Sequence, residues 1–131
     1  MGGIYSLNKR GKLKKFRKVD VALNCCHGGA GEGGGVCGWL ELNGIPLAGA
    51  GMFESAAFMD KYYTKLILRS LGVRKAPYAY LKSADDIEEA EKLGYPLIVK
   101  PAKLGSSIGI ARADDRESLK NALQAAFCYD D

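Results

Sequence analysis

The chain has 131 residues, 47% hydrophobic and 26% charged, with a formal net charge of +4. These proportions fit a globular chain with a sizeable core, and they exclude a disordered tail, a collagen-like fibre and a disulfide-stapled miniprotein. Glycine stands out at 17 residues, near twice the usual ~7%, without a period and gathered in two clusters.

The positive charge sits at the start. Residues 1–20 hold Lys9, Arg10, Lys12, Lys14, Lys15, Arg17 and Lys18 against Asp20, a net of +6, which leaves −2 for residues 21–131. The basic stretch reads as a solvated surface segment that could touch anionic partners. The acidic remainder argues against nucleic-acid binding. Cys25, Cys26, Cys37 and Cys128 have no C-x-x-C spacing, so small buried thiols in a reducing compartment are expected rather than zinc ligands. No unbroken apolar stretch follows the basic start, and no run approaches the ~18 residues of a membrane span. A cytoplasmic protein is expected.

Residues 1–18 show little pattern. Val19 to Cys26 is a short apolar run that reads as a buried strand. Positions 27–35 follow, with six glycines in nine residues, a composition that disfavours regular packing and lets backbone approach a ligand. Residues 36–43 read as a short helix stopped by Gly44, and Ile45 to Ala48 as another strand. Strand, glycine loop, helix and strand form a βαβ pattern with a parallel sheet.

Phe58, Tyr62 and Leu66 recur at helical spacing, which predicts one long helix from Glu54 to Leu71, ended by Gly72. Tyr78 to Leu81 is a strand candidate. Ser83 is placed to cap a helix with Ile87, Ala90 and Leu93 on its apolar side. Pro96 to Pro101 reads as a strand with Lys100 at its far end. Lys103 to Gly109 is a second glycine–serine loop, and Ile108 to Arg112 a returning strand. Asp114 or Asp115 caps a last helix whose Leu119, Ala122, Leu123, Ala126 and Phe127 form a complete amphipathic stripe. Composition shifts near residue 75, with parallel α/β character upstream and α+β character downstream.

Several residues could carry chemistry. Lys100 at a strand end, followed by Gly105-Ser106-Ser107-Ile108-Gly109, supplies a cation and a loop able to aim N–H groups and hydroxyls at phosphate oxygens. The same residues also suit a plain hairpin turn with a solvated lysine. Lys61 and Lys65 share a helix face, as ordinary surface lysines also do. His27 ends a strand where α/β proteins bind ligands, and a structural histidine fits there too. Glu32 is placed to accept hydrogen bonds from loop amides or to pair with a lysine. No second histidine supports a serine hydrolase, and no acidic spacing suits a calcium loop.

Five segments in order are more specific than any one of them: H-G-G-A-G-E-G at 27–33, L-E-L-N-G-I-P at 40–46, S-A-A-F-M-D-K-Y-Y-T-K at 55–65, L-G-Y-P-L-I-V-K-P-A at 93–102 and G-S-S-I-G-I at 105–110. Together they closely resemble the D-alanine–D-alanine ligases of the ATP-grasp superfamily, over about residues 19–131. The resemblance implies a partial parallel βαβ N-terminal domain with its linking helix over 1–74. It implies the first, α+β part of the central ATP-grasp subdomain over 75–131. It also implies ATP-dependent joining of two D-alanines through an acyl phosphate, for peptidoglycan precursors. Lys61 and Lys100 look like the lysines on the ATP phosphates. Ser106 and Ser107 look like the loop residues near the phosphates and second substrate, with Gly105 and Gly109 as hinges. His27 looks like the histidine beside the first D-alanine and Glu32 like the acid that orients the site around it, so the resemblance implies Ser106, Ser107 and Glu32 as catalytic residues.

Gly33 departs from the acid or amide common after this glutamate. The pattern also reads as an internal fragment, without the family's N-terminal start or its C-terminal catalytic half. The magnesium ligands belong to that half, and no metal ligand is assigned here. The expected partners are D-alanine and ATP, without membrane or nucleic acid, with a homodimer as the assembly to look for. The isolated chain is expected to be inactive. The alternatives are another ATP-grasp carboxylate–amine ligase and a non-catalytic nucleotide-binding module.

Overall fold

An Asx turn opens the structure, a computed structural model that describes the backbone of residues 3–130 and the side chains of residues 5–14 and 18–130. The Asn8 side-chain oxygen accepts from the N–H groups of Arg10 (2.9 Å) and Lys12 (3.0 Å). This turn joins β1 (Gly3–Leu7) to β2 (Leu13–Lys18) in an antiparallel pair, with a register shift between Ile4 and Tyr5. The hairpin falls where the sequence shows little pattern. Leu7 and Leu13, paired across it, are both exposed, and no described side chain of the two strands is buried. Lys9, Arg10, Lys12, Lys14 and Lys18 are exposed, in keeping with a solvated basic segment; the side chains of Lys15 and Arg17 lie outside the described residues.

The expected strand over 19–26 is shortened to β3 (Ala22–Leu23). The glycine segment is not wholly irregular: it contains a helical turn, α1 (Gly29–Glu32), and runs into α2 (Gly35–Leu42). Then β4 (Leu47–Ala48) pairs in parallel with β3, Ala22 opposite Leu47 and Leu23 opposite Ala48. The expected βαβ unit is therefore present, with Cys37, Leu40 and Ile45 buried. Gly34, which precedes α2, has φ +95°, and a Cβ there would lie 2.6 Å from the Met52 carbonyl oxygen. Only glycine, which lacks a Cβ, tolerates that backbone conformation together with so close an approach. Only Cys37 is a buried thiol. Cys25, Cys26 and Cys128 are exposed, because β3 ends before Cys25 and Cys128 follows the last helix.

The single helix expected over 54–71 is two helices, α3 (Met52–Met59) and α4 (Lys61–Ser70). Asp60 breaks them. Its backbone is extended (φ −87°, ψ 117°), and its side chain accepts from the Tyr62 and Tyr63 N–H groups. An N-terminal cap of this kind satisfies backbone donors that the helix cannot. Gly72, at φ +69°, follows α4 as expected. Two compact units divide between Phe58 and Met59, upstream of the composition shift near residue 75.

Within the second unit, Tyr78–Leu81 forms no strand. Its tyrosines turn to α4 instead. Tyr80 stacks on Tyr62 with centroids 4.0 Å apart and planes at 16°, and the Lys65 ammonium lies 4.7 Å from the Tyr78 ring centroid. A short helix α5 (Ile87–Glu91) precedes β5 (Leu97–Val99), which pairs antiparallel with β6 (Ala111–Ala113). The last helix, α6 (Arg116–Phe127), starts with a capping box: Asp115 accepts from the Ser118 N–H at 2.8 Å while Ser118 Oγ accepts from the Asp115 N–H. Leu119, Ala122, Leu123 and Ala126 are buried, as their spacing predicts. Leu119 and Leu123 pack with Ile87, Ala90 and Ala113, and Leu97, Val99 and Phe127 border this core.

Candidate functional site

Asp60 places Lys61 at the first position of α4. From there the Lys61 backbone N–H reaches the Ala102 carbonyl at 3.0 Å. Its side-chain ammonium donates to the same carbonyl at 3.3 Å and also to the Leu104 carbonyl. Lys61 thus grips the stem of the second glycine–serine loop. Its pKa is lowered, first by burial and next by the nearby Lys100 charge; Asp130 and Asp60 act in the opposite sense. The structure therefore brings together two lysines that stand far apart in sequence.

Lys100 is exposed just beyond β5. Strand alternation sends Leu97 and Val99 toward α6 and leaves Ile98 on the other face, 59% exposed. Lys100, one residue past the strand, lines a cavity together with Ile98 and Lys61. Across the pair, Arg112 lies opposite Ile98 and is exposed. This face therefore carries exposed Ile98 beside Arg112, which is itself held by Asp114 at 2.7 Å.

The loop after Lys100 contains a tight turn closed by the Ile108 N–H on the Gly105 carbonyl at 3.1 Å. Its two central residues are Ser106 (φ +52°) and Ser107 (φ +60°). Positive φ is costly for non-glycine residues, about 1–2 kcal/mol each, and such positions gather at functional sites. Both serines are exposed. Gly109, at φ +69°, lets the returning arm pass close to Pro101: a Cβ there would lie 2.7 Å from Pro101 Cγ. Gly105 has open space around it and lies outside the positive-φ region. A cavity of about 470 Å³ in this unit is lined by Lys61, Tyr62, Tyr80, Val99, Lys100 and Asp130 among others, within the range of small-molecule sites.

His27 and Glu32 lie on one loop segment of the other unit. His27 is exposed at the carboxyl end of the parallel pair. The Glu32 carboxylate accepts from the Gly28 N–H at 2.6 Å, so it holds the turn that follows His27. Asn24 fixes the turn before it, accepting from the Cys26 N–H at 3.1 Å and donating to the Gly31 carbonyl at 2.9 Å. Of the two partners open to Glu32 in the sequence, loop amide or lysine, the structure shows the amide.

Sequence reading did not single out Asp60, Ile98, Asp130 or Asn24. Asp60 had a local signal, a capping-type residue just before the apolar stripe of α4. Ile98 and Asp130 depend on strand pairing and tertiary contact, which leave no local signal. Among the described residues, no group of three or more His, Cys, Asp or Glu could hold a metal ion, and no helix is long and apolar enough to cross a membrane.

The family model described as "D-ala D-ala ligase C-terminus" matches residues 67–131. The chain is 40% identical over 132 residues to a D-alanine--D-alanine ligase of Acetivibrio thermocellus, covering 95% of this chain and 35% of that protein. It is 43% identical over 114 residues to one of Geobacter sulfurreducens, covering 86% of this chain and 36% of the relative. The chain thus spans about a third of the length of the curated relatives it matches. Among solved structures, a D-Alanine-D-Alanine Ligase from Helicobacter pylori superposes with a TM-score of 0.81 at 31% identity, covering 98% of this chain and 39% of that one. VanG D-Ala:D-Ser Ligase from Enterococcus faecalis gives 0.79 at 29% identity, with 98% and 40% covered.

Proposed function

This chain belongs to the D-alanine–D-alanine ligase family, and from that membership we propose that it supplies two parts of an ATP-dependent ligase: the nucleotide-phosphate grip and the first-substrate loop. The reaction joins two D-alanines for peptidoglycan precursors in the cytoplasm. A carboxylate oxygen of the first D-alanine attacks the γ-phosphorus of ATP and ADP leaves. The amine of the second D-alanine then attacks the acyl carbon, the carbon–oxygen bond to phosphate breaks, and the amine loses a proton.

The observation that carries the reading is the convergence of Lys61, Lys100 and the stem of the Ser106–Ser107 turn within one unit. Phosphoryl transfer needs positioned positive charge, because charge spreads over the transferring oxygens. Lys61 and Lys100 supply it, and the exposed serines offer hydroxyls to the same oxygens. Ile98, which lines the cavity with Lys100, offers a purine an apolar face. His27, with its turn held by Glu32, faces the first D-alanine. The donor set fits a triphosphate. Among the described residues no group of three or more His, Cys, Asp or Glu could hold a metal ion without further ligands.

That inventory favours a narrower second reading for the 131-residue chain by itself, namely nucleotide binding without turnover. The test is a chimera in which this chain replaces the matching third of the Geobacter sulfurreducens relative, assayed beside the isolated chain. The chimera should form D-alanyl-D-alanine and lose that activity with Lys100→Met. The isolated chain should release no phosphate in response to D-alanine. A folded chimera that binds ATP yet makes no dipeptide would overturn the ligase reading. Turnover by the isolated chain would overturn the narrower one.

A further inference from the structure

We propose that Asp130 is a positioning residue for the glycine–serine loop, acting with Lys61 as a two-sided clamp on residues 102–104. Lys61 takes the carbonyls on either side of Lys103. Asp130 takes Lys103 itself: Oδ2 accepts from its backbone N–H at 2.6 Å, and Oδ1 meets its ammonium at 3.1 Å. A cation therefore holds the carbonyl oxygens of the stem while an anion holds the N–H between them. Each bond is charge-assisted, the stronger kind.

The carboxylate is well placed for this role. Its side chain is only 7% exposed, far less than the surface ion pairs of this chain. It lies just past α6, anchored to its last turn because the N–H groups of Tyr129 and Asp130 both return to the Ala126 carbonyl. Ala126 is buried, in line with Leu119 and Leu123, so the carboxylate is tied to the hydrophobic core. The neighbouring Tyr129 meets the other arm of the loop: a Cβ on Gly109 would lie 3.0 Å from its ring. The end of α6 thus touches both arms of the turn that carries Ser106 and Ser107. Asp130 also lines the cavity with Lys61 and Lys100, where its charge opposes their mutual repulsion.

The clamp rests on the structure alone, and its consequence for ligand rests on the phosphate-binding reading above. Asp130→Ala removes both contacts. Asp130→Asn keeps an acceptor for the N–H and loses the ion pair, and Lys103→Ala keeps the backbone bond. Hydrogen exchange of residues 103–109 and Mg-ATP affinity are measured for all three in the full chain, with the amides of 119–126 as reference. The expected result for Asp130→Ala is at least about tenfold faster loop exchange, the scale of one hydrogen bond to a charged group. A comparable loss of affinity should accompany it. Asp130→Asn and Lys103→Ala should recover most of both, while the 119–126 amides stay unchanged.

Unchanged loop exchange in Asp130→Ala would overturn the proposal. So would equal acceleration at 119–126, which marks a plain helix-end role, or faster loop exchange with unaltered affinity. If the unmutated chain binds no Mg-ATP while its loop still responds to Asp130→Ala, the clamp stands and the phosphate reading fails.

Discussion

Replacing Asp60 tests how the fold delivers Lys61 to the loop. Asp60 is 8% exposed and accepts from two N–H groups at the start of α4, Tyr62 at 2.8 Å and Tyr63 at 3.2 Å. Asp60→Ala leaves both donors without that oxygen. A lost helix cap costs about 1 kcal/mol and up to about 2, and a hydrogen bond to a charged group contributes about 1.5–3. The two bonds share one oxygen, so they do not add, and the shorter one dominates. The expected loss is about 2 kcal/mol. With a urea dependence of about 1–3 kcal/mol per molar for a chain this size, the midpoint should fall by about 1 M. Near-ultraviolet circular dichroism reads the transition locally, through the stacked Tyr62 and Tyr80 rings. Asp60→Asn keeps an acceptor oxygen and should lose less than half as much. An Asp60→Ala protein within about 0.5 kcal/mol of the unmutated one, the scatter of ordinary surface substitutions, would refute the capping argument. So would an Asp60→Asn protein as unstable as the alanine variant.

Gly34→Ala should cost more than about 2 kcal/mol, because an adverse φ adds to contact with an immobile backbone oxygen. Gly44→Ala also has a positive φ, +63°, but open space, and should cost only about 1. Urea titration followed through Trp39, in the same unit, separates the two. Ser106→Gly and Ser107→Gly should leave the melting temperature level or higher, since glycine relieves the positive φ, while weakening Mg-ATP binding through the lost hydroxyl. The lowered pKa of Lys61 gives two opposite slopes with pH. Between that pKa and the ordinary 10.5 the unfolded chain binds more protons than the folded one, so stability rises with pH across this window. Nucleotide affinity falls over the same window as the ammonium is lost. Lys61→Met should abolish both slopes, which pH-dependent denaturation and binding titrations check.

The last helix shows why some of the fold is legible. Its stripe from Leu119 to Ala126 and its cap at Asp115 are local patterns, and they fold as they read. The βαβ unit was equally open, because two apolar runs flank a helix that ends at glycine. The break at Asp60 was not. Phe58, Tyr62 and Leu66 keep helical spacing straight through it, and that periodicity outweighs the local signal of a single capping residue. Tyr78–Leu81 has strand composition, yet Tyr78 and Tyr80 satisfy it by contacts with Lys65 and Tyr62 rather than by a ladder. At the site, Lys61, Lys100 and the serine loop were named from motifs. Their meeting, and the part of Asp130 in it, needed contacts across long stretches of chain. The positive φ of Ser106 and Ser107 has no sequence signature, because serine ordinarily occupies negative φ.

The most direct measurement is an equilibrium titration of the chain with Mg-ATP, repeated for Lys100→Met and with adenosine or inorganic tripolyphosphate as competitor. Saturable binding that tripolyphosphate displaces, and that weakens at least about tenfold in Lys100→Met, the scale of one charged contact, is the predicted result. No saturable binding, or equal binding by the Lys100→Met protein, would contradict the assignment of Lys61, Lys100 and the glycine–serine loop to nucleotide phosphates.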